Sequence, residues 1–240
     1  NTVLFPGVVI PITVGRDKSI QAVKAAYSKD KLIGVVSQKD GNIEDPQPID
    51  LCKVGTIAKI IKMIKMQDGG TTIIIQGKKR FELLEMKEED PFFKARVKVL
   101  IEDKVEKDNQ NFQAYLATIK DLATQIIQLS PNFPSEGVMI LKNIESPLFL
   151  INFVSSNLNV DVNEKQALLE QHNIILRAEK LIQFLQQELQ FVELKNKVAN
   201  KTRTEIDKQQ RDYFLQQQLK SIKDELGGDA NDRELVEMKK

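Results

Sequence analysis

The feature that most constrains this chain is the stretch from Asn163 to Leu226, which contains neither proline nor glycine. It is dense in Gln, Glu, Lys and Leu, and a continuous helix of that length would extend on the order of 90 Å at about 1.5 Å per residue. Because this exceeds the width of an ordinary domain, we expect part of the helix to leave the body in which it begins. Gly227 and Gly228 mark its expected end.

Apolar residues along this stretch predict where the helix packs. Two rows of a seven-residue repeat come first, and Leu181 and Phe184 widen them into a seam suited to a helical bundle. From Asn200 to Asp212 the apolar content falls to Ile206 alone, and a second apolar face follows. We therefore expect a helix that packs at its start and again near its end, like a strut between two bodies. The rows are Leu168, Ile175, Ile182 and Leu189, and Ala178, Leu185, Val192 and Ala199; the second face is Leu215, Leu219, Ile222 and Leu226.

Composition narrows the class of protein. The 240 residues suffice for one large domain or two modest ones, and 41% hydrophobic with 29% charged residues is typical of a soluble globular chain. A net charge of +1 argues against a dominant nucleic-acid footprint, and no apolar run approaches the roughly 18 residues of a membrane span. The single cysteine, Cys52, cannot form an internal disulfide, so a reducing compartment is expected. The single histidine, His172, excludes a His-rich metal site.

Residues 1–103 are predicted to form a β-rich lobe with one helix. The helix is expected from Ser19 to Ser28, capped by Asp17 or Ser19. Many short strands favour a small curled sheet or open barrel, and Asp68-Gly69-Gly70 is the strongest hairpin signal. The expected strands are Val8 to Ile10, shortened or kinked by Pro11; Leu32 to Val36, buried; Val54 to Met66; Thr71 to Gln76; Phe81 to Met86; and Phe92 to Ile101.

The spacing becomes helical after residue 103. We expect a helical bundle over residues 104–199, which includes the start of the long helix, and a helical extension over residues 200–240. The fold class is therefore α+β: a β-rich lobe, an α-helical bundle and a long extended C-terminal helix. The expected helices run from Phe112 to Ile126, Gly137 to Ile144 and Pro147 to Leu158, with Asp161 or Asn163 capping the long helix.

No pattern in the sequence predicts a catalytic, cofactor-binding or metal site. Gly77-Lys78-Lys79 shares only its Gly-Lys pair with a phosphate-binding loop, so we interpret it as a turn between two strands. Lys78-Lys79-Arg80 could meet phosphates, but three basic residues are weak support for nucleic-acid contact. We interpret the other reactive side chains as structural: His172, Cys52 and the acidic turn Glu88-Glu89-Asp90.

Apolar residues at the edges of the β lobe are the candidates for binding a partner. Leu4 and Phe5 flank a Pro-Gly turn, and Met63 and Met66 approach the predicted hairpin tip. Methionine is flexible and polarizable, and promiscuous binding surfaces use it heavily. If these side chains are exposed, they predict an apolar patch for unfolded polypeptide. The alternative is that they belong to the core of the lobe.

Several motifs occur in an order that resembles a known family. They are VLFPGVVIP at residues 3–11, VGR at 14–16, SI at 19–20, DL at 50–51, VGTIA at 54–58, DG at 68–69, QGKKRF at 76–81, EKQALLE at 164–170 and QRDYFLQQQLKSI at 210–222. Together they span nearly the whole chain. On these motifs the sequence resembles the N-terminal region of the ATP-dependent serine protease Lon, of the LonA type.

The resemblance implies a role in protein quality control. Members of the family are cytosolic hexamers in which the N-terminal region recognises misfolded, damaged or tagged substrates and passes them to an AAA+ ATPase and peptidase module. ATP and Mg²⁺ belong to that module. This sequence has neither the family's ATP-binding loop nor its Ser-Lys dyad, so we expect no catalysis and no cofactor in residues 1–240. Tyr213, Phe214, Leu215, Leu219 and Ile222 would dock on the ATPase module or on neighbouring subunits.

Two other classes of function remain open at this point. A structural coiled-coil adaptor would form stable oligomers through the seam from Leu168 to Val192, although Asn196, Arg203 and Gln210 interrupt the heptad row. A nucleic-acid-binding β-barrel would bind DNA or RNA with steep salt dependence, and the near-zero net charge disfavours it.

Overall fold

The computed structural model describes residues 2–65, 70–102, 109–130 and 136–225, with side chains to residue 223. The chain divides into two compact units, Asn1–Gln190 and Phe191–Lys240. The first unit contains an open five-stranded antiparallel sheet and the helices that pack against it. This confirms the predicted α+β class. The division of the chain into three parts stays a prediction.

The sheet has the strand order β1-β4-β3-β2, with β5 also paired to β4. Strands β3 and β4 form the predicted antiparallel pair. Residues 66–69 between them, which include most of the predicted hairpin turn, lie outside the described residues. Strand β2 was predicted to be buried, but it lies at an edge and its residues are exposed or half-buried. The strands are β1 Val9–Val14, β2 Leu32–Val35, β3 Val54–Lys65, β4 Thr71–Glu88 and β5 Lys94–Val99.

Proline does not end the first strand. Strand β1 continues through Pro11 and, among the described strands, pairs only with β4. Proline lacks an N–H to donate, and an edge strand tolerates this because the backbone groups on its outer side have no neighbouring strand to bond. The expected shortening at Pro11 was therefore wrong, and the alternative of a kink at Pro11 stays a prediction.

The helix of the β lobe, α1, spans Asp17–Tyr27 and covers one face of the sheet. Its N-cap is Arg16, whose side chain makes no capping hydrogen bond. Neither Asp17 nor Ser19 is therefore the cap, and Asp17 instead lies in the first turn, where a negative charge favours the helix dipole. Val23 is its buried residue.

Gly77-Lys78-Lys79 is not a turn, because β4 continues through it as a single strand of 18 residues. The register against β3 shifts between Ile57 and Ala58, so the strand absorbs Lys78 as an irregularity and continues. At Gly77 the N-terminal segment crosses closely: Gly7 N–H donates to Gly77 O at 2.9 Å, and Gly77 N–H donates to Val8 O at 2.9 Å. A Cβ at residue 77 would lie 2.3 Å from Phe5 O, so only glycine fits.

We expect Gly77→Ala to lower the free energy of unfolding by about 1–3 kcal/mol, because the added methyl group must push the segment around Phe5 off the sheet. The matched control is Gly15→Ala, since a Cβ at residue 15 would meet no atom within 4 Å. Urea unfolding followed by circular dichroism measures both variants. Equal stability of the two would contradict the close crossing.

The remaining helices follow the predicted order. Helices α2, α3 and α4 form near their expected positions, and the side chains of Asn109 and Ser146 cap α2 and α4 by accepting hydrogen bonds from Phe112 N–H and Phe149 N–H. The predicted long helix is divided into α5 and α6. The helices are α2 Gln110–Leu129, α3 Glu136–Lys142, α4 Pro147–Asn157, α5 Val162–Glu170 and α6 Ile174–Glu225.

The break between α5 and α6 falls at residues 171–173, without proline or glycine. Asn173 caps the new helix, because its side-chain oxygen accepts hydrogen bonds from Ile175 N–H at 2.9 Å and Leu176 N–H at 3.1 Å. From Ile174 the helix is continuous through residues 200–212. Asp161, one of the two residues expected to cap the long helix, is the N-cap of α5. His172 falls within the stretch predicted as one long helix, but it lies in the break and is exposed.

Two apolar clusters form the core of the first unit. One lies between α1 and the sheet and includes Leu4, Ile60 and Ile75. The other joins the β lobe to the helices, because Phe5 and Val54 belong to the same cluster as residues of α2, α4, α5 and α6. Ala178, Leu181 and Leu185 of α6 are fully buried there, which confirms that the long helix packs at its start.

Candidate substrate-binding surface

The structure places two of the four predicted binding residues in the core. Leu4 is 2% exposed and Phe5 is 0% exposed. Thr56 Oγ1 donates to Leu4 O at 2.6 Å, and the hydrogen bonds at Gly77 hold the next turn of chain against the sheet. Their side chains therefore have no surface to offer in this conformation, which agrees with the alternative of a core position. Contact of Leu4 or Phe5 with substrate stays an untested prediction.

The other two candidates differ. Met63 lies opposite Ile73 in the sheet and packs, half-buried, against the cluster beneath α1. Met66 lies outside the described residues. The predicted docking residues all lie on α6 in the second unit and have exposed side chains: Tyr213, Phe214, Leu215, Leu219 and Ile222.

Several exposed apolar side chains of the lobe lie on strands, at positions that were not predicted from the sequence. Val9 pairs with Gln76, Gln76 with Lys59, and Lys59 with Leu32. Because directly paired residues point to the same face of a sheet, these four form a row across β1, β4, β3 and β2, which we call the outer row. Val9 and Leu32 are 49% and 45% exposed. The outer row therefore presents apolar groups beside one lysine.

Strand β5 extends this exposed surface. Val99 lies opposite Phe81, and Val97 lies opposite Leu83. Side chains two residues apart on a strand point to the same face of the sheet. Because β4 has one extra residue at Lys78, Phe81 lies on the same face as Gln76 and the rest of the outer row. Both valines are exposed, as is every residue of β5. The Val-Lys-Val alternation at residues 97–99 is typical of a strand with one apolar face, but the place of this strand at an edge is a property of the whole sheet.

A buried polar network supports this surface from the opposite face of β4. Arg80 is 1% exposed and makes a bidentate ion pair with Glu102, with Nε–Oε1 and Nη2–Oε2 distances of 2.6 and 2.9 Å. Its Nη1 donates to Leu169 O at 2.7 Å and to Gln171 O at 3.0 Å. Arg80 thus joins β4 and the segment after β5 to the end of α5.

Arg177, on the first turns of α6, belongs to the same network and is 0% exposed. Its Nη2 donates to Gln171 O at 2.6 Å and to Glu102 Oε2 at 3.2 Å, and its Nη1 approaches Asn152 Oδ1 at 3.5 Å. The carbonyls at residues 169 and 171 therefore bond to guanidinium groups in place of helical N–H groups. This explains why the helix breaks there.

Two further polar contacts join the lobe to the helices. Asn152 Nδ2 of α4 donates to Pro6 O at 3.2 Å, and Gln166 Nε2 of α5 donates to Val54 O at 2.8 Å. Both donors are buried. Together with the arginine network, they hold the N-terminal turn and β3 in one position relative to α4 and α5.

The perturbed titratable groups lie outside the exposed surface and have structural causes. Burial raises the pKa of the Cys52 thiol, and the Glu170 carboxylate adds to the rise, so the thiol stays protonated. The hydrogen bond that Tyr115 donates to Glu179 raises the pKa of its hydroxyl. Burial lowers the pKa of Lys165 and raises the pKa of Glu188. None of them forms the pairing of nucleophile and base that acyl transfer needs.

The described residues contain no group of three or more His, Cys, Asp or Glu side chains that could hold a metal ion. Arg80, the last residue of the Lys78-Lys79-Arg80 run, is buried and paired with Glu102. No helix in the described part of the chain combines the length and apolar composition of a membrane span.

Comparison with known proteins identifies the family. The sequence model of the ATP-dependent protease La (LON) substrate-binding domain matches residues 1–187. The chain is 50% identical over 238 residues to a Lon protease of Flavobacterium johnsoniae and 44% identical over 239 residues to one of Cytophaga hutchinsonii. These alignments cover 99% and 100% of this chain but 29% of each relative. The chain thus spans less than a third of the length of these curated relatives.

Solved structures show the same fold. The N-terminal domain of a Mycobacterium avium complex Lon protease matches with a TM-score of 0.64 at 21% identity, covering 78% of this chain and 94% of that one. A Lon N-terminal domain protein from Xanthomonas campestris matches with a TM-score of 0.54 at 16% identity, covering 75% and 92%. Sequence and fold agree: residues 1–187 of this chain match the substrate-binding domain of Lon, and the chain belongs to the Lon protease family.

Proposed function

We propose that this chain recognises unfolded polypeptide for a Lon-type protease by binding it on the exposed face of the β lobe. The observation that carries the proposal is the set of large apolar side chains that the strands expose, with Val9 and Leu32 in the outer row and Val97 and Val99 on β5. Apolar groups concentrated on one face of a soluble domain mark a binding surface. The rigid support from the arginine network keeps that surface formed before substrate arrives.

The wider setting is part of the same proposal. The segments bound would come from misfolded, damaged or tagged proteins in the cytosol, and a hexamer would pass them to an ATP- and Mg²⁺-dependent ATPase and serine peptidase module. The 29% coverage of the relatives leaves ample length for that module in proteins of this family. Membrane and nucleic acid are not partners in this proposal.

The experiment uses a labelled α-lactalbumin that is reduced and carboxymethylated, so that it cannot fold. We expect the double variant Val9→Thr with Leu32→Thr to bind it threefold to tenfold more weakly than the wild type, because both changes remove exposed apolar area. Threonine is β-branched and favoured in strands, so thermal stability should hold. Fluorescence anisotropy measures binding.

The matched control is Lys59→Thr, which alters the lysine of the same row and leaves its apolar side chains in place. We expect this control to bind as the wild type does. Undiminished binding by the double variant would show that the outer row does not take part. Equal weakening by Lys59→Thr would instead indicate an electrostatic surface.

We also propose an assembly role for the second unit. Tyr213, Phe214, Leu215, Leu219 and Ile222 expose about half or more of their surface on α6. Such a face favours docking on the ATPase module or on neighbouring subunits. Sedimentation of the chain at rising concentration tests self-association: Leu219→Glu should abolish any oligomer that this face forms. An oligomer that persists in this variant would exclude the face as its contact.

A further inference from the structure

Strand β5 has one unpaired edge. Among the described strands it pairs only with β4, and all six residues from Lys94 to Val99 are exposed. An edge strand presents backbone N–H and C=O groups in the spacing that another extended chain can pair with. The backbone groups of β5 that point outward, and the side chains beside them, determine what kind of chain can pair with this edge.

The hydrogen-bond pattern shows which groups are free. Leu100 N–H donates to Arg80 O at 2.9 Å, and Val99 lies directly opposite Phe81. In an antiparallel pair, residues that bond to the partner alternate with residues that point away from it. The bonded positions are therefore Lys98 in β5 and Leu100 directly after it, and the backbone groups of Val99 and Val97 point away from β4.

The charges of β5 do not protect this edge. Lysine on an edge strand usually discourages pairing with other chains. Here Lys94 pairs with Glu88 and Arg96 with Glu85, and Lys98 lies opposite Glu82. Each basic side chain of the strand thus faces a carboxylate of β4, so the edge carries little net charge. A strongly acidic or basic partner would gain little from it.

The opposite side of the strand is apolar. Val97 and Val99 are 37% and 43% exposed, and Ile101, two residues further along, is 90% exposed. An added strand would place alternate side chains beside these three residues, at a strand spacing of about 4.8 Å. The fitting occupant is an extended, uncharged segment with apolar residues at alternate positions. Unfolded proteins expose such segments.

We propose that the free edge of β5 binds an extended segment of unfolded substrate as an added β-strand, through the backbone groups of Val97 and Val99. This deepens the function proposed above and rests on it. Pairing through the backbone reads no particular side chain, which suits a surface that must accept many sequences. The apolar row beside the edge then selects segments that belong in a protein core.

The first test is hydrogen exchange of the whole chain, followed by NMR, with and without saturating reduced, carboxymethylated α-lactalbumin. We expect exchange of the Val97 and Val99 amides to slow at least tenfold on binding. The Lys98 amide, which already bonds to β4, should change little and serves as the internal control. Binding without added protection at residues 97 and 99 would overturn strand addition and leave the proposed function standing.

A variant pair gives the second test. Val99→Pro removes an outward N–H but no bond to β4, so the sheet should remain, and the unfolded probe should bind at least fivefold more weakly. Val99→Thr keeps the N–H and the branched shape and should lose less than twofold. Equal binding by both variants would contradict the proposal. If Val99→Pro does not fold, the exchange experiment decides, and absence of binding by the wild type would refute the proposed function itself.

Discussion

Arg80→Met is expected to lower the free energy of unfolding by about 3–5 kcal/mol, because it leaves a desolvated ion-pair partner behind. Glu102 would lose both hydrogen bonds of its bidentate pair, and Leu169 O would lose its donor. For a chain of this length, the loss corresponds to a fall of about 6–20 °C in Tm. Denaturant unfolding and thermal melting measure it.

Lys79→Met is the matched control, since it makes the same change at the adjacent, exposed residue of β4. A surface substitution of this kind should stay within about 0.5 kcal/mol of the wild type. Arg80→Lys should fall between the two, because it keeps the charge but loses the planar fork. A loss below 1 kcal/mol for Arg80→Met would show that the network does not hold the lobe to the helices.

Phe5→Ala is expected to cost about 3–5 kcal/mol, the usual range for truncating a buried phenylalanine. Phe5 is fully buried in the cluster that joins the β lobe to the helices, and its backbone lies against Gly77. Chemical unfolding of the variant gives the loss. Val9→Ala, at a half-exposed residue a few positions along, should cost less than about 1 kcal/mol.

This substitution also separates two roles for Phe5. If Phe5 contacted substrate directly, Phe5→Ala would weaken binding of unfolded polypeptide while stability changed little. We expect the reverse: a large loss of stability, with binding by the remaining folded molecules, measured well below the lowered Tm, near that of the wild type. Weak binding with unchanged stability would contradict the core position.

Periodicity predicted the elements that depend on local pattern. Helix α2 has apolar residues at helical spacing, α4 is a nearly continuous apolar run, and both form near their expected positions. The packing of the start of α6 was likewise visible in Ala178 and Leu185. These elements bury a continuous stripe, so their own sequence carries the information.

The elements that were predicted incorrectly depend on distant residues. The break at residues 171–173 requires Arg80, which is about ninety positions earlier in the chain. Continuity of β4 through Gly77 requires the close crossing of the segment at Phe5. Arg80 itself follows two exposed lysines, so its burial cannot be read from its neighbours. Long-range hydrogen bonds decided each case.

The same limit applied to the candidate surface. Leu4 and Phe5 border a Pro-Gly turn, a position that is often exposed, but the turn is covered by α4 through Phe149 and Asn152. The exposure of Val97 and Val99 follows from the place of β5 at an edge, which is a property of the whole sheet. The sequence pattern indicated apolar strands but not which strand would lie at the edge.

Direct binding of unfolded polypeptide by the isolated chain is the central claim, and one titration tests it. The chain is added to labelled α-lactalbumin in its native form and in its reduced, carboxymethylated form, at low and moderate salt. We expect saturable binding of the unfolded form, little loss of affinity at moderate salt, and no binding of the native form. Equal binding of both forms, or of neither, would contradict it.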